Sequence, residues 1–363
     1  MKAALISLGS KSSLMVVEAL KKYFEQVDNI QLKNIEVNLG KDGGIFYKEK
    51  KLEKYDCIYV KGSYRYAQLL RSIAALLEGK VPYMPLPANA FTNVHNKLLT
   101  HLYLEQHNIP MPKTYISATT DSAKELLAKV NYPVVMKFPE GTQGKGVMFA
   151  DSKGSASSLL DALGALNQPF IIQEFVETGG TDIRALVLGE KVIAAMKRTS
   201  NTEDKRANLH AGGSGEPVQL SREVSKLAVD TAKALGVDIC GVDILDGPLG
   251  PRVIEANISP GLQGLNENST LDIADELAKF LYRKTMESVS HSTKNAAADV
   301  LKDISIDTRN NNESAQQIVT SLNFRGERIL LPELITKMTS FSDQKEYTFK
   351  AKRGKLEIEE MDY

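Results

Sequence analysis

This sequence lacks several features of disulfide-rich, secreted or membrane proteins. Among 363 residues there is no tryptophan and there are only two cysteines, Cys57 and Cys240, each within an apolar strand-like run. Two cysteines cannot build a disulfide framework or a metal site alone, so we interpret them as buried free thiols in a reducing compartment. The chain also lacks a signal-peptide pattern and an apolar run of membrane-spanning length. These absences predict a cytoplasmic protein with no membrane partner.

The sequence likewise has no excess of charge of either sign. Lys plus Arg and Asp plus Glu number 45 each, for a formal net charge of zero. This balance disfavours a nucleic-acid partner bound by bulk electrostatics, although it leaves room for a local basic patch. Hydrophobic residues make up 42% and charged residues 25%, which is typical of a globular protein with a substantial core.

The order of strand and helix patterns predicts several structural parts. The first part alternates strands such as "KAALISLG" with helices such as "SSLMVVEALKKYF", which indicates a small open parallel sheet. The next mixes α and β elements, and a small polar stretch after it is typical of a linker. The predicted boundaries are 1–92 for the N-terminal α/β domain, 93–285 for the α+β domain (parts of about 93–174 and 175–285), 286–303 for the linker and 304–363 for a small β-rich module.

A glycine-rich connection lies between two strand patterns in "VVMKFPEGTQGKGVMFA". No helix follows it, so it fits neither a P-loop nor a dinucleotide fingerprint. Such a loop can present backbone N–H groups to phosphates, and Lys137 at the strand end would add positive charge. The alternative is a flexible hairpin that binds nothing. The loop residues concerned are Gly141, Thr142, Gln143, Gly144 and Gly146.

Oxygen-bearing side chains recur in a second hairpin pattern, "GVDILDGPLGPRVIEANISPG". If this hairpin is centred near Leu249, Asp243 lies opposite Glu255, and Asn257 shares the face of Glu255. Carboxylate and amide oxygens on one face are suited to Mg²⁺. The alternative is a solvated acidic hairpin, but the apolar surroundings would make acids without a counter-ion costly there. We therefore expect a metal site.

Between these motifs, "FIIQEFVETGGTDIRALVLG" contains a strand that breaks at residues 174–176. The break could present backbone groups to an adenine edge, with apolar contact from Phe175 and Val176. Asp182 and Arg184 follow, two apart and thus on one strand face. A polar and basic cluster comes next and could bind anionic substrate groups, or could be a solvated loop; it includes Lys197, Arg198, Arg206 and Asn208.

In this order the motifs resemble the ATP-grasp enzymes, and most closely the RimK-type α-L-glutamate ligases. The likeness covers residues 1 to about 285 and is closest after Asn93. It implies an α/β (α+β) fold with an N-terminal open parallel-sheet domain, two α+β subdomains that grip the nucleotide, and a C-terminal extension outside the family pattern. The stretches that carry it are "NKLLTHLYLEQHNIPMPKT", "MKFPEGTQGKGV", "IQEFVETGGTDIRALVLGEKVIAAMKR", "RANLHAGG" and "GVDILDGPLGPRVIEANISPGLQGLNENSTLDIA".

The resemblance assigns a role to each matching position. ATP and two Mg²⁺ or Mn²⁺ ions are the implied cofactors. The implied ligands of the ions are Asp243, Glu255 and Asn257. The implied nucleotide contacts are Lys97 and Lys137 at the phosphates, the loop 141–146 as a flap, Glu174, Phe175 and Val176 at the adenine, Asp182 at the ribose, and Arg206 and Asn208 near the terminal phosphate.

The resemblance also implies a reaction. ATP would convert an acceptor carboxylate into an acyl phosphate, which the amine of L-glutamate attacks to form an amide. Catalytic roles fall to Arg206, Asn208 and Arg184, the last as a donor to the tetrahedral oxyanion. Lys197 and Arg198 are our hypothesis for the glutamate carboxylates, and Arg65 in "KGSYRYAQ" for acceptor choice.

Alternatives remain open at this point. The acceptor could be a protein C-terminus or a small molecule, the enzyme could act on an amino-group carrier or use another amino acid, and the protein could instead be a nucleotide-binding regulator. The tail 304–363 contains "ILLPELITKM" before a hairpin pattern and resembles the swapped-hairpin modules of AbrB-type proteins, which dimerise; partner docking or a plain stabilising extension are the alternatives. We expect a homo-oligomer, either a dimer or a tetramer.

Overall fold

A computed structural model describes most of the chain. It covers residues 1–41, 43–140, 146–200 and 214–303, and in the tail residues 323–325, 328–331, 339, 342, 345–352 and 355–360. The chain separates into two compact units, Met1–Asp303 and Ile304–Tyr363.

The N-terminal part of the first unit contains a parallel sheet of three strands. The order β2-β1-β6 places the first strand in the centre, and an antiparallel meander of β3, β4 and β5 follows β2 in the chain. Apolar residues of β1 and β6 are fully buried, as the pattern predicts. The elements are β1 (Lys2–Ser7), α1 (Lys11–Leu20), β2 (Gln26–Gln31), β3 (Ile35–Asn38), β4 (Gly44–Tyr47), β5 (Lys50–Lys51), β6 (Cys57–Val60), α2 (Ala67–Leu77) and α3 (Ala90–Asn93).

A four-stranded antiparallel sheet of order β7-β10-β8-β9 follows, with its own small core. Strands β8 and β9 pair from Val134↔Ala150 to Lys137↔Val147, so the glycine-rich connection does join two antiparallel strands. The elements are α4 (Lys97–Gln106), β7 (Thr114–Tyr115), α5 (Thr120–Leu126), β8 (Val134–Lys137), β9 (Val147–Ala150), α6 (Lys153–Ala165) and β10 (Ile171–Glu174).

The largest sheet has five antiparallel strands in the order β13-β12-β11-β14-β15. Its buried apolar residues join those of the N-terminal sheet in one core. The elements are β11 (Thr181–Leu188), β12 (Lys191–Thr199), β13 (Ser214–Pro217), α7 (Arg222–Ala234), β14 (Ile239–Gly247), β15 (Gly250–Asn257), α8 (Gln263–Glu267) and α9 (Ile273–Asp303).

Helix α9 differs from the sequence expectation. Residues 286–303 were predicted to be a linker, but they form the second half of this helix. The segment contains no proline or glycine, and its three consecutive alanines (296–298) are strong helix formers, so nothing in it ends the helix that begins at Ile273. None of the helices in the described part of the chain is long and apolar enough to cross a membrane.

The second unit contributes two short antiparallel strand pairs among its described residues. Strand β16 pairs with β17, and β18 pairs with β19. Most of the segment "ILLPELITKM" lies outside the described residues. The bounds are β16 (Asn323–Arg325), β17 (Arg328–Leu330), β18 (Tyr347–Lys352) and β19 (Lys355–Glu360). The expected α/β (α+β) architecture is thus confirmed, with its parallel N-terminal sheet, antiparallel sheets and small C-terminal strands.

Candidate nucleotide and metal site

The hairpin of β14 and β15 aligns the three predicted metal ligands. Asp243 pairs directly with Glu255, and Gly241 pairs with Asn257. The turn is centred between residues 248 and 249, half a residue from the expected centre, and a register shift between Asp243 and Ile244 restores the predicted pair. The side chains of Asp243 and Glu255 therefore share a sheet face, and Asn257 lies two residues further along that face.

The orientation of the Asn257 side chain is fixed by the chain that follows it. The N–H of Ser259 donates a 2.8 Å hydrogen bond to Asn257 Oδ1. An amide oxygen has two lone pairs, so Oδ1 keeps one acceptor direction for a cation. Together with two carboxylates, this gives a hard oxygen donor set that fits Mg²⁺ or Mn²⁺. Among the described residues there is no group of three or more His, Cys, Asp or Glu side chains that could hold a metal ion. The face described here has two acids and one asparagine.

Two arginines surround the carboxylate of Asp243. Arg184 donates from Nε to Oδ1 and from Nη2 to Oδ2, both at 2.7 Å. Arg198 Nη2 lies 2.9 Å from the same Oδ2, and Arg198 also binds both oxygens of Asp182, at 2.5 and 2.7 Å. Strand order explains this network, because Arg184 pairs with Asp243 and Asp182 pairs with Arg198 across neighbouring strands.

The electrostatics of this network keep Asp243 ionised. Burial alone would raise the pKa of its carboxyl, but Arg184 and Arg198 lower it to about 2. Two acids and two arginines balance in charge, so the network is compensated without a cation. Oδ2 already accepts two hydrogen bonds and Oδ1 accepts one. A lone pair of Oδ1 therefore remains for a metal ion.

The two lysines that were predicted to bind phosphates, Lys97 and Lys137, lie near the hairpin of β14 and β15 that carries the predicted metal ligands. Lys137 ends β8, and its Nζ donates a 2.6 Å hydrogen bond to Gln173. Burial lowers the pKa of Lys137 to about 8; Glu255 raises this pKa and Lys97 lowers it further. The charges of Lys97 and Glu255 both shift the pKa of Lys137. The four-stranded sheet, helix α4 and the hairpin therefore contribute to one site. Lys97 is the first residue of α4, whose N-cap is Asn96.

Residues 174–176, where the strand pattern breaks, are called the hinge here. The side chain of Glu174 at the hinge contacts residues in and beside the four-stranded sheet. Its carboxylate accepts hydrogen bonds from Tyr115 at 2.6 Å and from Asn131 at 3.2 and 3.3 Å. The ring of Phe175 meets that of Phe149 edge-on, with centroids 6.0 Å apart. A Cβ built on Gly247 would come within 3.0 Å of a Val176 methyl group, which shows that the hinge touches the turn of the metal hairpin.

Not every predicted residue joins the site. Lys197 neighbours Arg198 on β12 and therefore faces the other side of the sheet. Arg65 is exposed in a short 3₁₀ turn, and no hydrogen bond or ion pair within the described residues connects it to the site. Gly146, the last residue of the glycine motif, has a φ of +78°, and a Cβ there would lie 2.2 Å from the Phe138 ring. The remaining predicted positions, Gly141, Thr142, Gln143, Gly144, Arg206 and Asn208, lie outside the described residues.

Sequence reasoning missed three buried polar residues around the site. Gln173 and His101 are 2% and 4% exposed and connect to Lys137. Lys61 follows β6 and is 5% exposed; its Nζ reaches the carbonyl oxygen of Pro260 at 3.5 Å, three residues after Asn257. Lys61 has a sequence signal that was available: like Lys137, it comes directly after a run of buried apolar residues.

This fold is similar to that of solved ATP-grasp ligases. The ATP-grasp ligase PsnB, complexed with minimal precursor, Mg and ADP, gives a TM-score of 0.61 at 19% identity, over 78% of this chain and 98% of that chain. The D-cycloserine synthetase DcsG gives 0.58 at 15% identity, over 78% and 100%. Likeness at such low identity shows the fold alone, and this fold is the one of the solved ATP-grasp ligases.

Sequence comparisons define the family within that class. A model of the RimK-like ATP-grasp domain matches residues 94–281, more than half of the chain. A "Probable alpha-L-glutamate ligase" of Thioalkalivibrio sulfidiphilus is 36% identical over 289 residues, covering 77% of this chain and 95% of the relative. Another, of Marinomonas sp., is 34% identical over 299 residues, covering 81% and 99%. The chain belongs to the RimK-like ATP-grasp family, as the resemblance predicted.

Proposed function

We propose that the protein is an ATP-dependent carboxylate–amine ligase that adds L-glutamate to an acceptor carboxylate. The observation that carries this proposal is the meeting of an oxygen donor face with the phosphate lysine Lys137. The face consists of Asp243, Glu255 and Asn257 on one hairpin, and it lies near enough to Lys137 for the charge of Glu255 to raise the pKa of Lys137. A site that offers oxygens to a hard cation and ammonium groups to phosphates suits a metal-bound nucleoside triphosphate.

The chain's own residues supply positioning and charge. Lys97 and Lys137 bind the phosphates of ATP, Phe175 and Val176 contact the adenine, and Asp182 lies at the ribose. Arg206 and Asn208 act near the terminal phosphate. Divalent cations, when bound by Asp243, Glu255 and Asn257, would neutralise charge on the transferring phosphoryl group. We propose two such ions, either Mg²⁺ or Mn²⁺.

A free carboxylate is a poor electrophile for an amine, and activation by ATP solves this problem. An oxygen of the acceptor carboxylate attacks the γ-phosphorus, ADP leaves, and an acyl phosphate forms. The amine of glutamate then attacks the acyl carbon, and phosphate leaves with the bonding electrons as the amide forms. We propose Arg184 as the donor to the tetrahedral oxyanion; its side chain lies beside Asp243 and is 20% exposed, which supports this role.

The choice of L-glutamate rests on the curated relatives, whose names give alpha-L-glutamate ligases. We propose Arg198 for a carboxylate of glutamate and Arg65 for acceptor choice; Lys197, which was predicted together with Arg198, lies on the opposite face of the sheet and is not proposed for this role. Arg198 binds Asp182 and Asp243, so this role requires its guanidinium to exchange partners or to use its remaining N–H groups. The proposed acceptors are protein C-termini or small molecules that end in glutamate.

An acceptor screen tests the proposal. The purified protein is incubated with ATP, Mg²⁺ or Mn²⁺, L-glutamate and a panel of peptides and small molecules ending in glutamate. The expected result is ADP and phosphate release that needs both substrates, with products heavier by whole glutamyl residues in mass spectrometry. Glu255→Gln should abolish the signal, whereas Glu267→Gln, an exposed change on α8, should not.

Two other outcomes would change the assignment. Turnover with another amino acid in place of glutamate, or only with an amino-group carrier, would keep the ligase class and replace the substrate. Tight nucleotide binding without ADP release over the whole panel would contradict the ligase proposal and favour a nucleotide-binding regulatory protein.

A further inference from the structure

Gln173 occupies a buried position between the phosphate lysine and helix α4. It lies on β10, is 2% exposed, and uses both ends of its amide. Its Oε1 accepts from Lys137 Nζ at 2.6 Å. Its Nε2 lies 3.0 Å from His101 Nε2 and donates to Thr114 Oγ1 at 2.9 Å. We propose that Gln173, held by His101 and Thr114, is the positioning residue that fixes the charged end of Lys137 for the nucleotide phosphates. The inference rests on the phosphate role proposed above for Lys137.

The donor and the acceptor of each hydrogen bond between Gln173, His101 and Thr114 can be assigned. His101 Nδ1 lies 2.5 Å from the carbonyl oxygen of Lys97, which can only accept, so Nδ1 carries the proton. Burial, with Lys137 and Lys97 nearby, lowers the pKa of His101 to about 4, so the ring is neutral at pH 7 and Nε2 is an acceptor. Thr114 donates its hydroxyl proton to Pro112 and therefore accepts from Gln173.

These constraints leave one orientation for the Gln173 amide. Both acceptors, on His101 and Thr114, require the NH₂ group, so the amide oxygen must face Lys137. Turning the amide over would set an NH₂ group against the ammonium and an oxygen against an acceptor nitrogen, with buried donors and acceptors left unpaired. These hydrogen bonds therefore favour a single orientation of the Gln173 amide.

A neutral acceptor suits the task better than an acid. A carboxylate at position 173 would form a buried ion pair with Lys137, which would cancel its positive charge and repel phosphate. The glutamine oxygen satisfies one N–H of the ammonium without adding a negative charge in direct contact with it. The same chain of bonds also reaches the backbone of Lys97, the other phosphate lysine, through His101. One buried series of hydrogen bonds thus connects the side chain of Lys137 with the backbone of Lys97.

Nucleotide binding tests the inference without any acceptor or glutamate. The dissociation constants of ADP and of a non-hydrolysable ATP analogue with Mg²⁺ are measured by calorimetry for the full chain. Gln173→Met should weaken both by about tenfold, because Lys137 loses its fixed partner. Gln168→Met, an exposed change in the loop after α6, is the matched control and should bind as the wild type does.

A double-mutant cycle separates positioning from general damage. If Gln173 acts through Lys137, Lys137→Met combined with Gln173→Met should bind nucleotide no more weakly than Lys137→Met alone. Additive losses would overturn the inference, and so would an unaltered affinity in Gln173→Met. No loss in Lys137→Met itself would instead contradict the phosphate role in the proposed function, which keeps the two failures distinct.

Gln173→Glu keeps the test decisive if the methionine variant does not fold, because it preserves the shape of the side chain. The new carboxylate would stabilise the ammonium form of Lys137. We expect weaker nucleotide binding at neutral pH, and a loss of affinity at alkaline pH that begins at a higher pH than in the wild type. If the nucleotide affinity of this variant fell at the same alkaline pH as that of the wild type, a direct contact between residue 173 and Lys137 would be contradicted. A residue with a purely structural role would not shift that pH.

Discussion

Arg184 holds both carboxylate oxygens of Asp243, with two hydrogen bonds of 2.7 Å, across the paired strands β11 and β14. Arg198 adds a contact of 2.9 Å to one of the same oxygens. The acid that we assign to the metal is thus already neutralised by arginine. A divalent cation that binds Asp243 must therefore compete with the guanidinium of Arg184 or share the carboxylate with it.

This competition gives Arg184 two effects of opposite sign. Arg184→Met should bind Mn²⁺ about tenfold more tightly in the absence of nucleotide, because a competing cation is removed. Its turnover should fall by about a hundredfold or more, because the oxyanion donor is lost. Electron paramagnetic resonance of free Mn²⁺ measures the first effect, and ADP release in the acceptor assay measures the second.

Arg222→Met, an exposed substitution at the start of α7, is the control for a general change in charge. It should alter neither quantity. Equal or weaker Mn²⁺ binding in Arg184→Met would show that the arginine supports the metal ligand instead of competing for it.

The pH dependence of nucleotide affinity should report Lys137. Burial lowers its pKa to about 8, so the free protein carries the ammonium below that pH and loses it above. Nucleotide affinity should therefore be flat at neutral pH and fall by up to about tenfold per pH unit above about pH 8. Lys137→Arg should extend the flat region, because a guanidinium stays charged. Identical alkaline limbs in both proteins would assign the titration to another group.

Lys61 should reduce the stability of the folded protein. It is buried without a carboxylate partner among the described residues, and burial lowers its pKa from 10.5 to about 8. The cost of burying the charge is complete below about pH 8 and is relieved as the pH rises toward the unfolded value. Lys61→Met should raise Tm by roughly 3–6 °C at neutral pH, and by less at alkaline pH.

Calorimetric melting curves at the two pH values check this prediction, with the exposed Lys80→Met as control. A lower Tm for Lys61→Met would mean that the ammonium makes a stabilising contact, for example to the 259–262 loop that follows β15.

The tail should be dispensable for the nucleotide site. All of the site residues that the structure describes lie in the first compact unit, Met1–Asp303. A chain ending at Asp303 should therefore bind the ATP analogue with Mg²⁺ within about twofold of the full chain. Sedimentation of both chains tests the predicted dimer or tetramer separately. A large loss of nucleotide affinity would assign a direct role to residues 304–363.

Local patterns in the sequence were sufficient to predict the register of the β14–β15 hairpin, whereas metal binding by it stays a prediction. Asp243, Glu255 and Asn257 belong to one hairpin, so their relation follows from a turn and a two-residue alternation, and the bulge beside Asp243 happens to preserve the predicted pair. The strands around the glycine motif were predictable for the same reason.

Contacts between distant segments were beyond this reasoning. Arg198 meets Asp243 because β11 lies between β12 and β14, an order that no local pattern contains. In the sequence, Gln173 is one more residue of a buried strand. Its contacts with Lys137 on β8 and His101 on α4 arise only in the folded structure. The positions 141–144, Arg206 and Asn208 lie outside the described residues, and their roles remain predictions, as do the cytoplasmic location and the oligomer.

The most direct test of the account is a crystal structure with Mn²⁺ and a non-hydrolysable ATP analogue, with anomalous diffraction recorded at the manganese edge. We predict anomalous peaks at coordination distance, about 2.0–2.3 Å, from oxygens of Asp243, Glu255 and Asn257, with Lys137 Nζ bound to a phosphate oxygen of the analogue. Manganese bound elsewhere, or phosphates that avoid both Lys137 and the hairpin, would contradict the proposed site and the chemistry derived from it.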